Sequence, residues 1–249
     1  MKSIASLPQK ATSSDLQHTL IRYFLNLGTS GGNRMAGRLY ASTIHKDFYG
    51  KGNMPTVKQI QRQLQQVGFM VDLDYSDEDY AAIEEMIDHE RDFNYMHSQL
   101  HHIRYKYALR NQITGQEYET PQFVFMRMAM ALAEDQPLHR RLNDVKKWYK
   151  YFSQNKLNAP TPNYTNLGTK LNGYASCCLY AVNDTADSLA IGDHIAYKMT
   201  VMSAGIGNIL KIRSINDPVR GGLFPHRGKL PYYRSMNGAV GANVKNGRN

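Results

Sequence analysis

Residues 174–215 read YASCCLYAVNDTADSLAIGDHIAYKMTVMSAGIGNILKIRSI, and this stretch decides the fold class. Tyr174 to Val182 is a run of aromatic, aliphatic and small residues bounded by polar ones, which predicts a buried strand. Ser188 to Ser203 predicts a helix. Gly205-Ile206-Gly207 is expected to turn the chain out of it, and Ile209 to Ile215 predicts a second strand. Strand, helix and strand in succession open an α/β unit, because parallel strands need a crossover and a helix commonly supplies it.

Upstream, the pattern is helical. Leu16, Leu20, Tyr23, Phe24 and Leu27 recur at helical spacing from an N-cap at Ser14, and Gly28 is placed to stop them. A polar Thr-Ser-Gly-Gly turn is expected next, then a helix from Arg34 to Lys46. Thr56 caps a third, with Val57, Ile60, Leu64 and Val67 inward. Ser76 starts a helix whose first turn is crowded by Asp77, Glu78 and Asp79, where the helix dipole favours negative charge. Tyr105 to Leu109 and Glu117 to Thr120 flank Thr114-Gly115 and suggest a hairpin. Thr120-Pro121 opens the next helix, in which a methionine-rich stripe reads as core. Leu138, Leu142, Val145, Tyr149 and Phe152 mark another. Pro160 and Pro162 are expected to exclude a helix there, and residues 216 to 249 show no periodicity.

Composition narrows the function classes. Thirty Lys and Arg against 21 Asp and Glu give +9, which suits a polyanion such as nucleic acid, an acidic partner or a nucleotide, without choosing among them. The basic residues are spread out, which weakens a nucleic-acid arm. No window has the ~18 consecutive apolar residues of a membrane span, and residues 1–10 lack the apolar core of a signal peptide. The two cysteines, Cys177 and Cys178, are adjacent, which is no disulfide framework and suits a reducing, cytoplasmic compartment.

In a strand, neighbours face opposite ways, so only one of these cysteines can look into a given site. Cys177 shares a face with Ala175, Leu179 and Ala181, and Cys178 with Ser176, Tyr180 and Val182. The plain alternative is two small buried hydrophobes. Adjacent thiols with no spaced partners do not make a tetrahedral metal site. Ala204-Gly205-Ile206-Gly207 follows a helix, whereas a dinucleotide fingerprint precedes one, so a Rossmann reading is rejected. Its glycines would let a ligand approach the backbone closely. Arg213 and Arg220 offer rigid, permanently charged forks suited to phosphates, or are simply solvated. Asp184 can accept from a ribose hydroxyl or cap the following helix.

Several runs together resemble one family. Ile87-Asp88-His89-Glu90-Arg91-Asp92 looks like the helix that opens the catalytic region of class I ribonucleotide reductase large (alpha) subunits. Asn111 to Glu119 is similar to that family's hairpin. Pro160-Thr161-Pro162, Ser176-Cys177, Asp184, Asp187-Ser188, Ala204-Gly205-Ile206-Gly207, Ile212-Arg213 and Pro218-Val219-Arg220-Gly221-Gly222 follow in the family's order. The resemblance covers roughly residues 75 to 249.

It implies an α/β fold: a helical N-terminal domain, then the first strands of a ten-stranded α/β barrel left incomplete in this chain. The division would be 1–75, a short helical region with a reduced or absent ATP-cone; 76–158, the helical domain; and 159–249, the start of the barrel. Cys177 would be one of two thiols that reduce the ribose. Thr161, Ser176 and Gly205 would bind substrate. Asp184, Arg213 and Arg220 would bind an effector nucleotide, a deoxynucleoside triphosphate or ATP, and the first specificity loop is one residue short of the common pattern. The helix from Ser188 would help form a large-subunit dimer, and Cys178 is read as a core residue. No other cofactor is implied for this chain, and the radical would come from a metal-containing small subunit. The family's chemistry needs more cysteines than the two present, so a C-terminal partner fragment, or a longer chain, is expected to supply the rest and the chain alone to be inactive. A split gene, as in some phages, would account for that. The rival from another class is a non-catalytic nucleotide-sensing or assembly subunit.

Overall fold

The computed structural model describes residues 10–50, 52–202 and 204–246, with side chains through Asn243. Expectations for residues 1–9, for Ser203 as a helix end and for residues 247–249 lie outside these. The chain divides into two compact units, Met1–Leu171 and Asn172–Asn249. Among the described residues no helix is long and apolar enough to cross a membrane.

The first unit is helical. Helix α1 (Ser13–Asn26) is capped by Thr12, two residues earlier than the expected Ser14, because Thr12 and Asp15 exchange capping hydrogen bonds. Helix α2 (Ser30–Tyr49) begins at the expected turn, and its glycines serve packing instead: a Cβ on Gly32 would lie 2.4 Å from the Phe24 carbonyl oxygen, and one on Gly37 2.2 Å from that of Tyr95. Helices α3 (Val57–Gln66) and α4 (Asp77–Glu84) start at Thr56 and Ser76 with full capping boxes, as read. Residues His89–Asn94 form a 3-10 helix, shorter and tighter than the helix expected there. Helix α5 (His97–His102) then runs into a π-helical turn, Ile103–Tyr107. The expected hairpin is reduced to one bridge, Arg110 to Glu117, because the π turn takes up its first arm.

Helix α6 (Pro121–Ala133) is the axis of this unit. Phe123 to Met130 are buried without a break, and Met126, Met128 and Met130 are core, as the methionine stripe predicts. Helix α7 (Leu138–Ser153) packs along it. A charge sits inside the core: Arg127 forms a two-pronged ion pair with Glu119 (2.6 and 3.0 Å) and donates to the Leu167 and Tyr164 carbonyls. Glu119 also accepts from the Leu109 amide. Each buried charge is thus fully partnered, which a buried ion requires. A second chain of polar contacts joins His45, Asp92, Gln122 and Tyr149, with His45 Nε2 2.8 Å from Asp92 and Tyr149 donating to Gln122 at 2.7 Å. Burial pushes the Asp92 carboxyl up from its ordinary range. Contrary to expectation, Thr161–Asn166 form a short helix, α8. Pro162 stands in its first turn, where a missing N–H costs nothing.

The second unit holds the anticipated strand–helix–strand. Strand β1 (Cys177–Asn183) pairs in parallel with β2 (Gly205–Lys211) across helix α9 (Ala186–Val201). Two corrections apply. β1 is not buried throughout: Val182 is buried, but Leu179 is 81% exposed. Gly205 and Gly207 are inside β2, not in a turn, and at Gly207 a Cβ would stand 2.6 Å from the tip of the exposed Leu179 side chain. Gly192 lets α9 lie on β1, since a Cβ would stand 2.5 Å from Val182. The stretch read as structureless contains a small antiparallel pair, β3 (Pro218–Val219) with β4 (Phe224–Pro225), and helix α10 (Leu230–Asn246).

Candidate functional site

The β1–β2 pair carries chemistry at both of its ends. At the amino ends, Cys177 stands in register with Gly205, and the Gly205 amide donates to the Ser176 carbonyl at 2.7 Å. The Ser176 hydroxyl lies 3.7 Å from the Cys177 sulfur. Three of the expected site residues are therefore neighbours. The alternation of the strand separates the cysteines as anticipated: Cys177 is exposed, and Cys178 is partly covered on the face that carries Tyr180 and Val182. Leu179, Ala181 and Ile209 share the bare face with Cys177, so the thiol stands at the edge of an uncovered apolar strip.

At the carboxyl ends, Asp184 directly follows β1 and Arg213 lies two residues beyond β2. Their side chains form an ion pair. The Arg213 guanidinium holds the Asp184 carboxyl below the usual carboxylate range. The two readings open for Asp184 separate here: Thr185 caps α9, accepting from the Ser188 amide at 3.2 Å, which leaves the Asp184 carboxylate to Arg213. Arg213 also reaches the Pro218 carbonyl at 3.5 Å. Arg220 does not join this pair. It sits at φ 52° in the β3–β4 turn, with its guanidinium over the Phe224 ring at 5.7 Å. A non-glycine residue in the left-handed region carries strain, and Gly221 and Gly222 beside it also have positive φ. Seven residues of strand separate the thiol end from the carboxylate end, about 20 Å of extended backbone.

Thr161 belongs to the helical unit, at the first position of α8. Its position follows from the Arg127 clamp, which holds the Tyr164 and Leu167 carbonyls. The residue pattern missed two features of the second unit: α10, and Lys229, whose ammonium donates to the Leu210 carbonyl at 3.0 Å and fastens the loop before α10 to β2. No periodicity marks either.

Known proteins share sequence with this chain. Residues 91–172 match the family described as "Ribonucleotide reductase, all-alpha domain". Ribonucleoside-diphosphate reductase 1 subunit alpha of Escherichia coli is 29% identical over 236 residues, covering 92% of this chain and 31% of that protein. The corresponding alpha subunit of Buchnera aphidicola subsp. Schizaphis graminum is 30% identical over 83% of this chain and 28% of its own length. That of Enterobacteria phage T4 is 32% identical over 67% of this chain and 22% of its own. The chain thus spans less than a third of the length of these relatives.

Proposed function

Because the chain belongs to the ribonucleotide reductase large-subunit family, matching the N-terminal part of its members, we propose that it takes part in reducing ribonucleotides to deoxyribonucleotides. The observation that carries this reading is the placement of Cys177: exposed, in register with Gly205, and beside Ser176 at one end of a parallel strand pair. In this reading Cys177 supplies one of two thiols. The pair gives two electrons and two protons to the substrate, the 2′ hydroxyl leaves as water, and the sulfurs join as a disulfide. Cys178 faces the other way, so the second thiol comes from elsewhere in a longer chain or from a partner fragment. Thr161, Ser176 and Gly205 hold the substrate. Asp184 and Arg213 receive the effector nucleotide, with Arg220 as a further phosphate contact.

The reading extends to a ten-stranded barrel begun by β1 and β2, to a division near residues 75 and 158, to a large-subunit dimer and to a metal-containing small subunit that supplies the radical. The bare face of the β1–β2 pair supports the barrel, because parallel sheets are covered on both faces in complete folds. The test is a turnover assay of the chain with the small subunit, with and without the remainder of the large subunit. Turnover is expected only with all parts present. Cys177→Ser should abolish multiple turnover, since a serine forms no disulfide, and Cys178→Ser should retain it. An active Cys177→Ser enzyme would overturn the assignment, and turnover by the chain and small subunit alone would overturn the need for a partner.

A further inference from the structure

The helical unit contains a second concave site that shares no residue with those above. Its volume is about 530 Å³, within the range of small-molecule sites, and Phe125, Tyr107 and Tyr164 form its aromatic wall. Tyr107 and Tyr164 stack at 4.2 Å with their planes 8° apart. The π turn builds the adjoining wall. Its i-to-i+5 bond, from the Ala108 amide to the Ile103 carbonyl, is 2.9 Å long. In an α-helix, residues five apart point about 140° from one another. Here His102 and Tyr107, five apart, meet edge to face with ring centroids 4.9 Å apart. Asn155, at φ 54°, ends α7 and turns the chain back so that Leu157 and Asn158 close the opposite side.

Two amide side chains at this site present donors, beside Ser98, His102 and Asn155, which can also accept. Asn158 accepts from the Tyr164 hydroxyl at 3.0 Å through its carbonyl oxygen, and Gln99 accepts from the Met96 amide at 2.9 Å through its own. Both carbonyls are used, which fixes the orientation of each amide. Each is left with an NH2 group that has no partner among the described residues. Among the described residues no acidic side chain lines the cavity. Aromatic faces with N–H donors, a few acceptors and no carboxylate suit a flat ring with polar atoms on its edge.

We infer that this cavity binds a nucleobase, recognised by stacking and by donation from Asn158 and Gln99 to the ring's acceptors. The probes are adenosine and uridine, which lack the phosphates that Arg213 would seek, with ribose 5-phosphate as the control. In saturation-transfer NMR on the whole chain, the base protons of at least one nucleoside should receive more saturation than the ribose protons. Asn158→Asp keeps the acceptor for Tyr164 and removes the donor. It should weaken binding at least tenfold with the unfolding midpoint unchanged, as should His102→Ala. Should either variant fail to fold, Gln99→Glu serves instead, because it keeps the bond from Met96. Ile113→Ala, at a residue 96% exposed and outside the cavity, should bind as the parent does. No transfer to either base, equal binding of ribose 5-phosphate, parental binding by the folded donor variants, or loss of binding in Ile113→Ala would each overturn the inference.

Discussion

The two units handle apolar surface in opposite ways. The helical unit buries a continuous cluster from Ile21 to Tyr164 around α6. The strand-bearing unit buries Val182, Leu210 and Ile212 and leaves Leu179, Ile209, Ile215 and Leu223 mostly exposed. Its β1–β2 pair is covered on one face only. Burial is worth about 25 cal/mol per Å² of apolar surface, so stability is concentrated in the unit that carries Thr161 alone among the expected site residues. The residues expected to do chemistry stand on the thinly supported unit, where a bare face is still available to a substrate or to further strands.

The comparison breaks most clearly at Arg127. Arg127→Ala strands the Glu119 carboxylate in the core and removes the bonds to Tyr164 and Leu167. It should cost about 3–5 kcal/mol, read by urea unfolding. A loss under 1 kcal/mol would mean that the core is looser than described.

Matched truncations sharpen the contrast. Leu100→Ala, at a fully buried position, should cost about 2–5 kcal/mol. Leu179→Ala, 81% exposed, should stay within about 0.5 kcal/mol in this chain. A comparable cost at Leu179 would show its face to be covered in solution, for instance by self-association, which sedimentation would detect.

Acid should find the helical unit first. His89 packs its ring 4.9 Å from Phe123, neither ring nitrogen has a partner among the described residues, and burial pushes its pKa down to about 4 from an ordinary 6.5. The folded state therefore favours the neutral ring. Stability from this group is full above pH 6.5 and falls as the pH drops toward 4, by no more than about 3 kcal/mol. His89→Phe should flatten that limb of the stability profile. An unchanged slope would assign acid sensitivity to another group.

The sequence made helix starts legible wherever a side chain could cap them, as at Thr56 and Ser76, and the buried methionine stripe was legible from composition. The order strand, helix, strand was equally plain, and so was the separation of the two cysteines by strand alternation. What stayed hidden depended on contacts remote in sequence. Gly207 resembles a turn residue until the register sets it opposite Leu179 in the parallel strand pair. Pro162 looks like a helix breaker until it is placed in a first turn. α10, with Gly238 and Gly241, has weak helical periodicity and is read only from its packing on α9. The π turn has no local signature. The pairing of Asp184 with Arg213 joins residues 29 apart in sequence, which only the strand register brings together.

The opposed directions of Cys177 and Cys178 have an electrical meaning. Their Cα atoms are about 3.8 Å apart along the chain, yet a disulfide needs their Cβ atoms to converge, and in a strand they diverge. An oxidised sulfur at Cys177 has no resolving partner next door, and closing the bond would tear the first rung of the sheet. The backbone thus keeps two adjacent sulfurs apart, and under the proposed chemistry an oxidised Cys177 would meet its second thiol from the open face.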